Sequence, residues 1–85
     1  MSVTIYSSPL CGFCHAAKRL LTQKGVAFDE IDVLRNPDEK PKMIQRAGGR
    51  RTVPQIFVGD IHLGGYDDIA DLDRLGKLDG ILALK

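Results

Sequence analysis

The chain has 85 residues, 44% of them hydrophobic, and a formal net charge of +1. That size and composition fit one domain over residues 1–85 with a thin stability margin, exclude disorder, and argue against nucleic acid as the main partner. No apolar run approaches the ~20 residues of a membrane helix, and MSVTIYSSPL has neither a basic start nor a long apolar stretch, so the expectation is a cytoplasmic protein with no membrane contact and no signal peptide.

Ser2-Val3-Thr4-Ile5-Tyr6 reads as a strand that the Ser7-Ser8-Pro9 run closes. From Cys14 onward, Cys14, Ala17, Leu20 and Leu21 fall on one helical face and Lys18, Arg19 and Gln23 on the other; Gly25 stops the helix. Residues 26–33 read as a second strand. Asn36-Pro37 has the pattern of a helix start, with Asn36 as cap and Pro37 at the first helical position; Met43, Ile44 and Ala47 form its apolar face. Pro41 is expected to keep its first turn irregular, and Gly48-Gly49 to end it. Residues 55–58 and 61–63 read as strands around a Gly59-Asp60 hairpin turn. Ile69, Leu72 and Leu75 then recur at helical spacing, and an apolar tail follows. The predicted order is β-α-β-α-β-β-α, an α/β fold. Its β-α-β start implies a parallel pair, the final hairpin adds an antiparallel edge, and helices flank the four-stranded mixed sheet.

The only cysteines, Cys11 and Cys14, lie where the first strand gives way to the first helix. A bridge across so short a loop constrains the unfolded chain little, so the pair suits chemistry better than architecture. Backbone N–H groups in a first helical turn lack intrahelical partners, and the helix dipole adds partial positive charge. Both favour a thiolate at Cys11, with the N–H groups of Phe13 and Cys14 and the Cys14 thiol as expected donors. A stabilised thiolate leaves easily from a mixed disulfide, so the pair predicts an enzyme that turns such disulfides over. Cys11, nearer the helix end, is the expected nucleophile; Cys14, one turn in and half-buried, the resolving thiol. Other readings of the pair are a zinc site, a haem attachment point and two inert core cysteines. Zinc needs four ligands, and beyond the cysteines there are only His15 and His62. Haem fits Cys11-Gly12-Phe13-Cys14-His15 literally, but the chain shows no export signal.

Tyr6 ahead of C-G-F-C, then RTVPQIF at 51–57 and GGYDD at 64–68, resembles the glutaredoxins over nearly the whole length. The resemblance implies a thioredoxin fold and reduction of protein disulfides and glutathione mixed disulfides. Glutathione would be co-substrate, and glutathione reductase with NADPH would supply electrons upstream of a monomeric enzyme. It implies a glutathione site made of Tyr6, Phe13, Arg51, Thr52, Val53, Pro54, Gly65, Asp67 and Asp68. Val53-Pro54 would be a cis-proline turn whose backbone edge pairs with an extended cysteinyl peptide. The start of the last helix would take the γ-glutamyl carboxylate, Asp68 the nearby ammonium, and Arg51, or Arg50 in its place, the glycyl carboxylate. Ser8 stands where many relatives carry lysine, and Gly12-Phe13 where many carry Pro-Tyr. C-G-F is shared with the monothiol branch, so the alternative is a dimer holding a [2Fe–2S] cluster on Cys11 and glutathione thiolates.

Overall fold

Alternation along the strands sorts this chain into two cores. The computed structural model describes residues 2–82. Its elements are β1 (Val3–Ser7), α1 (Gly12–Gln23), β2 (Phe28–Asp32), α2 (Glu39–Arg46), β3 (Gln55–Val58), β4 (Ile61–Gly64), α3 (Tyr66–Arg74) and α4 (Leu78–Ile81). Val3, Ile5, Ile56 and Val58 point to one side of the sheet and pack with Ala17 and Leu21 of α1, Ile69 of α3 and Leu78 of α4. Tyr6 and Phe57 point to the other and pack with Met43 and Ala47 on the α2 side. Successive side chains leave a strand on opposite faces, so each strand contributes to both layers.

The sheet order is β2-β1-β3-β4. β1 runs parallel to β2 and antiparallel to β3, and β3 antiparallel to β4. The pairing Tyr6↔Gln55 puts the end of β1 beside the start of β3, and Ile56↔Gly64 brings the end of β4 to the same edge. The N-termini of α1 and α3 therefore open at one end of the sheet. This is the four-stranded mixed sheet that the element order predicts, and the thioredoxin fold that the resemblance implies. No helix among the described residues is long and apolar enough to cross a membrane.

Four local expectations need correction. α2 begins at Glu39, not Pro37, because residues 36–40 are taken by turn hydrogen bonds from Glu39 N–H to Asn36 O and from Lys40 N–H to Pro37 O. Pro41 then sits in the first helical turn, where its missing N–H has no intrahelical partner to lose. β2 is shorter than 26–33, because Val26 N–H closes α1 by bonding Leu21 O. Leu75 is an exposed cap residue rather than part of the apolar face of α3. The tail contains a short helix, α4, which anchors Leu78 in the core; residues 83–85, the rest of the expected tail, lie outside the described residues.

Candidate active site

Cys11 is the N-cap of α1, with extended backbone at φ −108° and ψ 112°. Its sulfur accepts a hydrogen bond from the Cys14 N–H at 3.1 Å, as a serine or aspartate oxygen does at other helix starts. On its other side the Cys11 thiol donates to Val53 O at 3.6 Å. Of the two expected amide donors, the Cys14 N–H reaches the sulfur; no such bond comes from Phe13. Cys11 is partly exposed, and Cys14 is wholly buried at 0% rather than half-buried. Burial pushes the Cys14 thiol up to about 12, helped by its hydrogen bond to the Cys11 sulfur and opposed by the Ser8 amide. Near neutrality the two thiols are therefore unequal: Cys14 holds its proton, and Cys11 is the sulfur a disulfide can reach.

Beside Cys11 runs a groove of about 220 Å³ lined by Phe13, Arg50, Thr52, Val53, Pro54, Gly65, Tyr66 and Asp67. The Val53–Pro54 bond is cis. Phe13 is 63% exposed and stacks on Tyr66, ring centroids 6.1 Å apart, so the start of α1 meets the start of α3 across the groove. At the start of α3, Asp68 Oδ2 accepts from Gly65 N–H at 2.8 Å and from Arg50 Nη1 at 2.9 Å. On the other side of Val53 lies a second hollow of about 230 Å³, with Ser8, Val33, Leu34, Lys40 and Arg51 on its walls.

The expected site residues thus divide. Phe13, Thr52, Val53, Pro54, Gly65 and Asp67 line one groove, and Asp68 caps the helix that opens into it. Arg51 lies on the far side of Val53, and Arg50 takes the place on the Asp68 side. Tyr6 does not reach the groove: its ring is 3% exposed, packs edge-on against Phe57, and its hydroxyl accepts from Arg46 Nη1 at 2.8 Å. Its place before C-G-F-C reflects packing on the α2 side. Sequence reasoning passes over Tyr66 and names Arg50 only as a substitute for Arg51. An aromatic ring within GGYDD, at the mouth of a helix, was a usable signal for Tyr66; only the fold distinguishes Arg50 from Arg51. Among the described residues no group of three or more His, Cys, Asp or Glu side chains could hold a metal ion. His15 Nε2 lies 3.1 Å from Pro9 O, and His62 bonds Gln55.

Two carboxyls around this end are held below their ordinary range. Arg50, then the Gly65 amide, lowers Asp68 from 3.8. Lys18, then the Ser7 hydroxyl, lowers Glu30 from 4.5. A depressed folded value means that each contributes stability above its unfolded value and loses it as the pH falls through the folded one. Asp68→Asn is therefore expected to be less stable than the parent near pH 7, with the difference closing in acid as the pH falls through the depressed folded value. Denaturant unfolding near pH 7 and in acid measures this; an unchanged gap would show that the charge on Asp68 contributes nothing. Both side chains are partly exposed, so the effect at pH 7 is modest.

A reachable thiol capping a helix, with a second thiol buried behind it, is suited to disulfide exchange, and on this scaffold it defines a thiol–disulfide oxidoreductase. Comparison with known proteins gives the family. Residues 3–63 match the glutaredoxin family model. The chain is 47% identical over 81 residues to glutaredoxin 3 of Escherichia coli, covering 95% of this chain and 96% of that one. It is 46% identical over 82 residues to a glutaredoxin of Neisseria meningitidis, with 95% of each covered. Among solved structures, the Brucella melitensis glutaredoxin superposes with TM-score 0.83 at 46% identity, over 96% of this chain and 88% of that one. The buckwheat glutaredoxin–glutathione complex superposes with TM-score 0.87 at 31% identity, over 95% and 76%. The chain belongs to the glutaredoxin family.

Proposed function

We propose that this oxidoreductase is fed by glutathione and reduces glutathione mixed disulfides and protein disulfides, with Cys11 as nucleophile and Cys14 as resolving thiol. The observation that carries the reading is the seat of the Cys11 sulfur, between the Cys14 amide and the Val53 carbonyl and beside a groove walled by backbone. A relative solved in complex with glutathione, the buckwheat glutaredoxin, lends support by its similarity.

The Cys11 thiolate attacks the glutathione sulfur of a mixed disulfide. The old S–S bond breaks, the substrate thiolate leaves and takes a proton, and Cys11 is left joined to glutathione. A second glutathione thiolate attacks that glutathione sulfur, Cys11 leaves as thiolate, and glutathione disulfide departs for reduction by glutathione reductase and NADPH. The Cys14 amide stabilises the departing Cys11 sulfur where its charge develops. With a protein disulfide, the Cys11 thiolate first attacks one substrate sulfur, breaking that S–S bond and forming a Cys11–substrate mixed disulfide; Cys14 then loses its proton and attacks the Cys11 sulfur, releasing the substrate as a dithiol and leaving a Cys11–Cys14 bond for two glutathiones to reduce. Thr52 and Val53 offer the backbone edge; the start of α3 at Gly65, Asp67 and Asp68 receives the γ-glutamyl end; Arg51, across Val53, receives the glycyl carboxylate; Phe13 and Pro54 wall the groove.

The test is turnover of a glutathionylated peptide coupled to glutathione reductase and NADPH. Turnover that rises with glutathione is expected. Indifference to glutathione, with turnover by thioredoxin reductase instead, would remove the reading. For the [2Fe–2S] alternative each chain offers one reachable sulfur, Cys11, so it needs a second chain and two outside thiolates. A colourless monomer after anaerobic reconstitution would dismiss it.

A further inference from the structure

Gln55 is wholly buried in an otherwise apolar layer. It pairs across the sheet with Tyr6, and shares its face of β3 with Phe57. An amide buried there is costly unless all its polar atoms are engaged, and no buried side-chain nitrogen or oxygen among the described residues lacks a partner. Its partners lie in two directions. Nε2 donates to Thr52 O at 2.9 Å and lies 3.4 Å from Thr52 Oγ1. Oε1 meets His62 Nε2 at 2.6 Å. His62 pairs with Phe57 across β3 and β4, stacks on its ring at 4.9 Å, and so reaches Gln55 on the diagonal.

The chemistry of the atoms sets the direction of the chain. Thr52 O only accepts, so the Gln55 NH₂ must face it and Oε1 must face His62. Oε1 also only accepts, so His62 carries its proton on Nε2. Burial, then the Arg50 charge, lowers the ring below its ordinary 6.5, with Asp68 opposing, which keeps the neutral form with one N–H. His62 thereby orients the Gln55 amide, and the amide ties residue 52 to residue 55 across the cis-proline turn.

We infer that Gln55, oriented by His62, is a positioning residue that holds the Thr52–Val53 edge at the height the disulfide substrate pairs with. The inference rests on the proposal that this edge binds the glutathione moiety. Neither side chain lines the groove; both act through Thr52. An edge that binds ground state and transition state alike governs KM rather than kcat.

The test uses Gln55→Met, which keeps the length and removes the hydrogen bonds, with a glutathionylated peptide as substrate. KM is expected to rise roughly five- to tenfold with kcat within about twofold. The rate at which iodoacetamide alkylates Cys11, a reaction that needs no pairing of substrate with the edge although Val53 O touches the sulfur, is expected to stay within about twofold. Ile56→Val, a core variant on the opposite face, should lose stability without moving KM. His62→Ala, at a half-buried edge position, should raise KM in the same direction by roughly two- to threefold, and it decides the matter if Gln55→Met does not fold. KM within twofold of the parent in a folded Gln55→Met, an equal rise in Ile56→Val, or an unmoved KM in His62→Ala would overturn the inference. A parent enzyme that ignores glutathionylated peptide would instead overturn the underlying functional proposal.

Discussion

Replacing Cys11 with serine is expected to abolish turnover while leaving the fold intact. The two halves of that result have one cause. The Cys11 sulfur is the N-cap of α1 and accepts the Cys14 amide at 3.1 Å. A serine oxygen is a good N-cap, so the helix keeps its start and the melting temperature should stay within a few degrees. The hydroxyl does not ionise near neutrality, however, and cannot exchange with a disulfide. Activity should fall on the order of 10³-fold or more, the scale met when a nucleophile is removed. Cys14→Ser separates the chemistry further. Cys14 is wholly buried and its thiol is pushed up to about 12. Once Cys11 is tied up in a mixed disulfide, its hydrogen bond and charge no longer raise Cys14, but burial, the largest cause, persists. Attack by Cys14 is therefore slow beside attack by free glutathione thiolate on the same disulfide. Cys14→Ser should keep turnover of small glutathione mixed disulfides and impair reduction of protein disulfides, where the bulk of the substrate keeps glutathione from the Cys11–substrate bond. Parallel assays of both variants on both substrates measure this. Activity retained in Cys11→Ser would reverse the roles of the two sulfurs, and equal loss on both substrates in Cys14→Ser would make the second thiol essential throughout.

The strand and helix order up to α3 was legible because each segment carries its signal plainly: the β-branched and aromatic residues Val3, Thr4, Ile5 and Tyr6 in one strand, Ala17 and Leu21 one turn apart in the helix. The N-terminus of α2 was not, because Asn36-Pro37 is as good an opening for a turn as for a helix, and here two turn hydrogen bonds use it first. α4 escaped because four residues are too few to show a helical period; tertiary burial of Leu78, not propensity, holds it. At the site, the cysteines could be placed from local rules alone, since a helix start makes its own donors. What local rules could not decide was which side of a strand faces the groove. Arg50 and Arg51 are adjacent and chemically alike, and the backbone path after Gly48 and Gly49 sends them to opposite sides of Val53. Gln55 and His62 are seven residues apart, and only the β3–β4 register brings them together.

Gly64→Ala and Gly12→Ala should differ sharply, although each adds one methyl group near the same groove. Gly64 ends β4 at φ +109°, outside the range side-chain-bearing residues adopt readily, and an added Cβ would come 2.6 Å from Asp68 Cγ and 2.8 Å from Asp68 Cβ. Those atoms lie too close to the α3 backbone to swing aside, so either α3 shifts or Asp68 abandons the Gly65 amide and Arg50. Backbone strain of ~1–3 kcal/mol and a lost cap of ~1 kcal/mol combine to roughly 2–4 kcal/mol, a large share of a small domain's ~5–15. That corresponds to a fall in melting temperature of roughly 10–30 °C, and KM for a glutathionylated substrate should rise because the start of α3 no longer faces the groove. Gly12, at the first position of α1, has no positive φ, and nothing lies within 4 Å of its added Cβ. Alanine there should change stability by no more than about 0.5–1 kcal/mol, towards greater stability if anything, because it removes freedom from the unfolded chain. Thermal melts of the two variants, with KM measured on each, make the comparison. Equal melting temperatures would mean that Asp68 has room to move away from an added Cβ, and a Gly12→Ala variant that folds normally but loses turnover would show that the loop between the cysteines must flex for exchange to proceed.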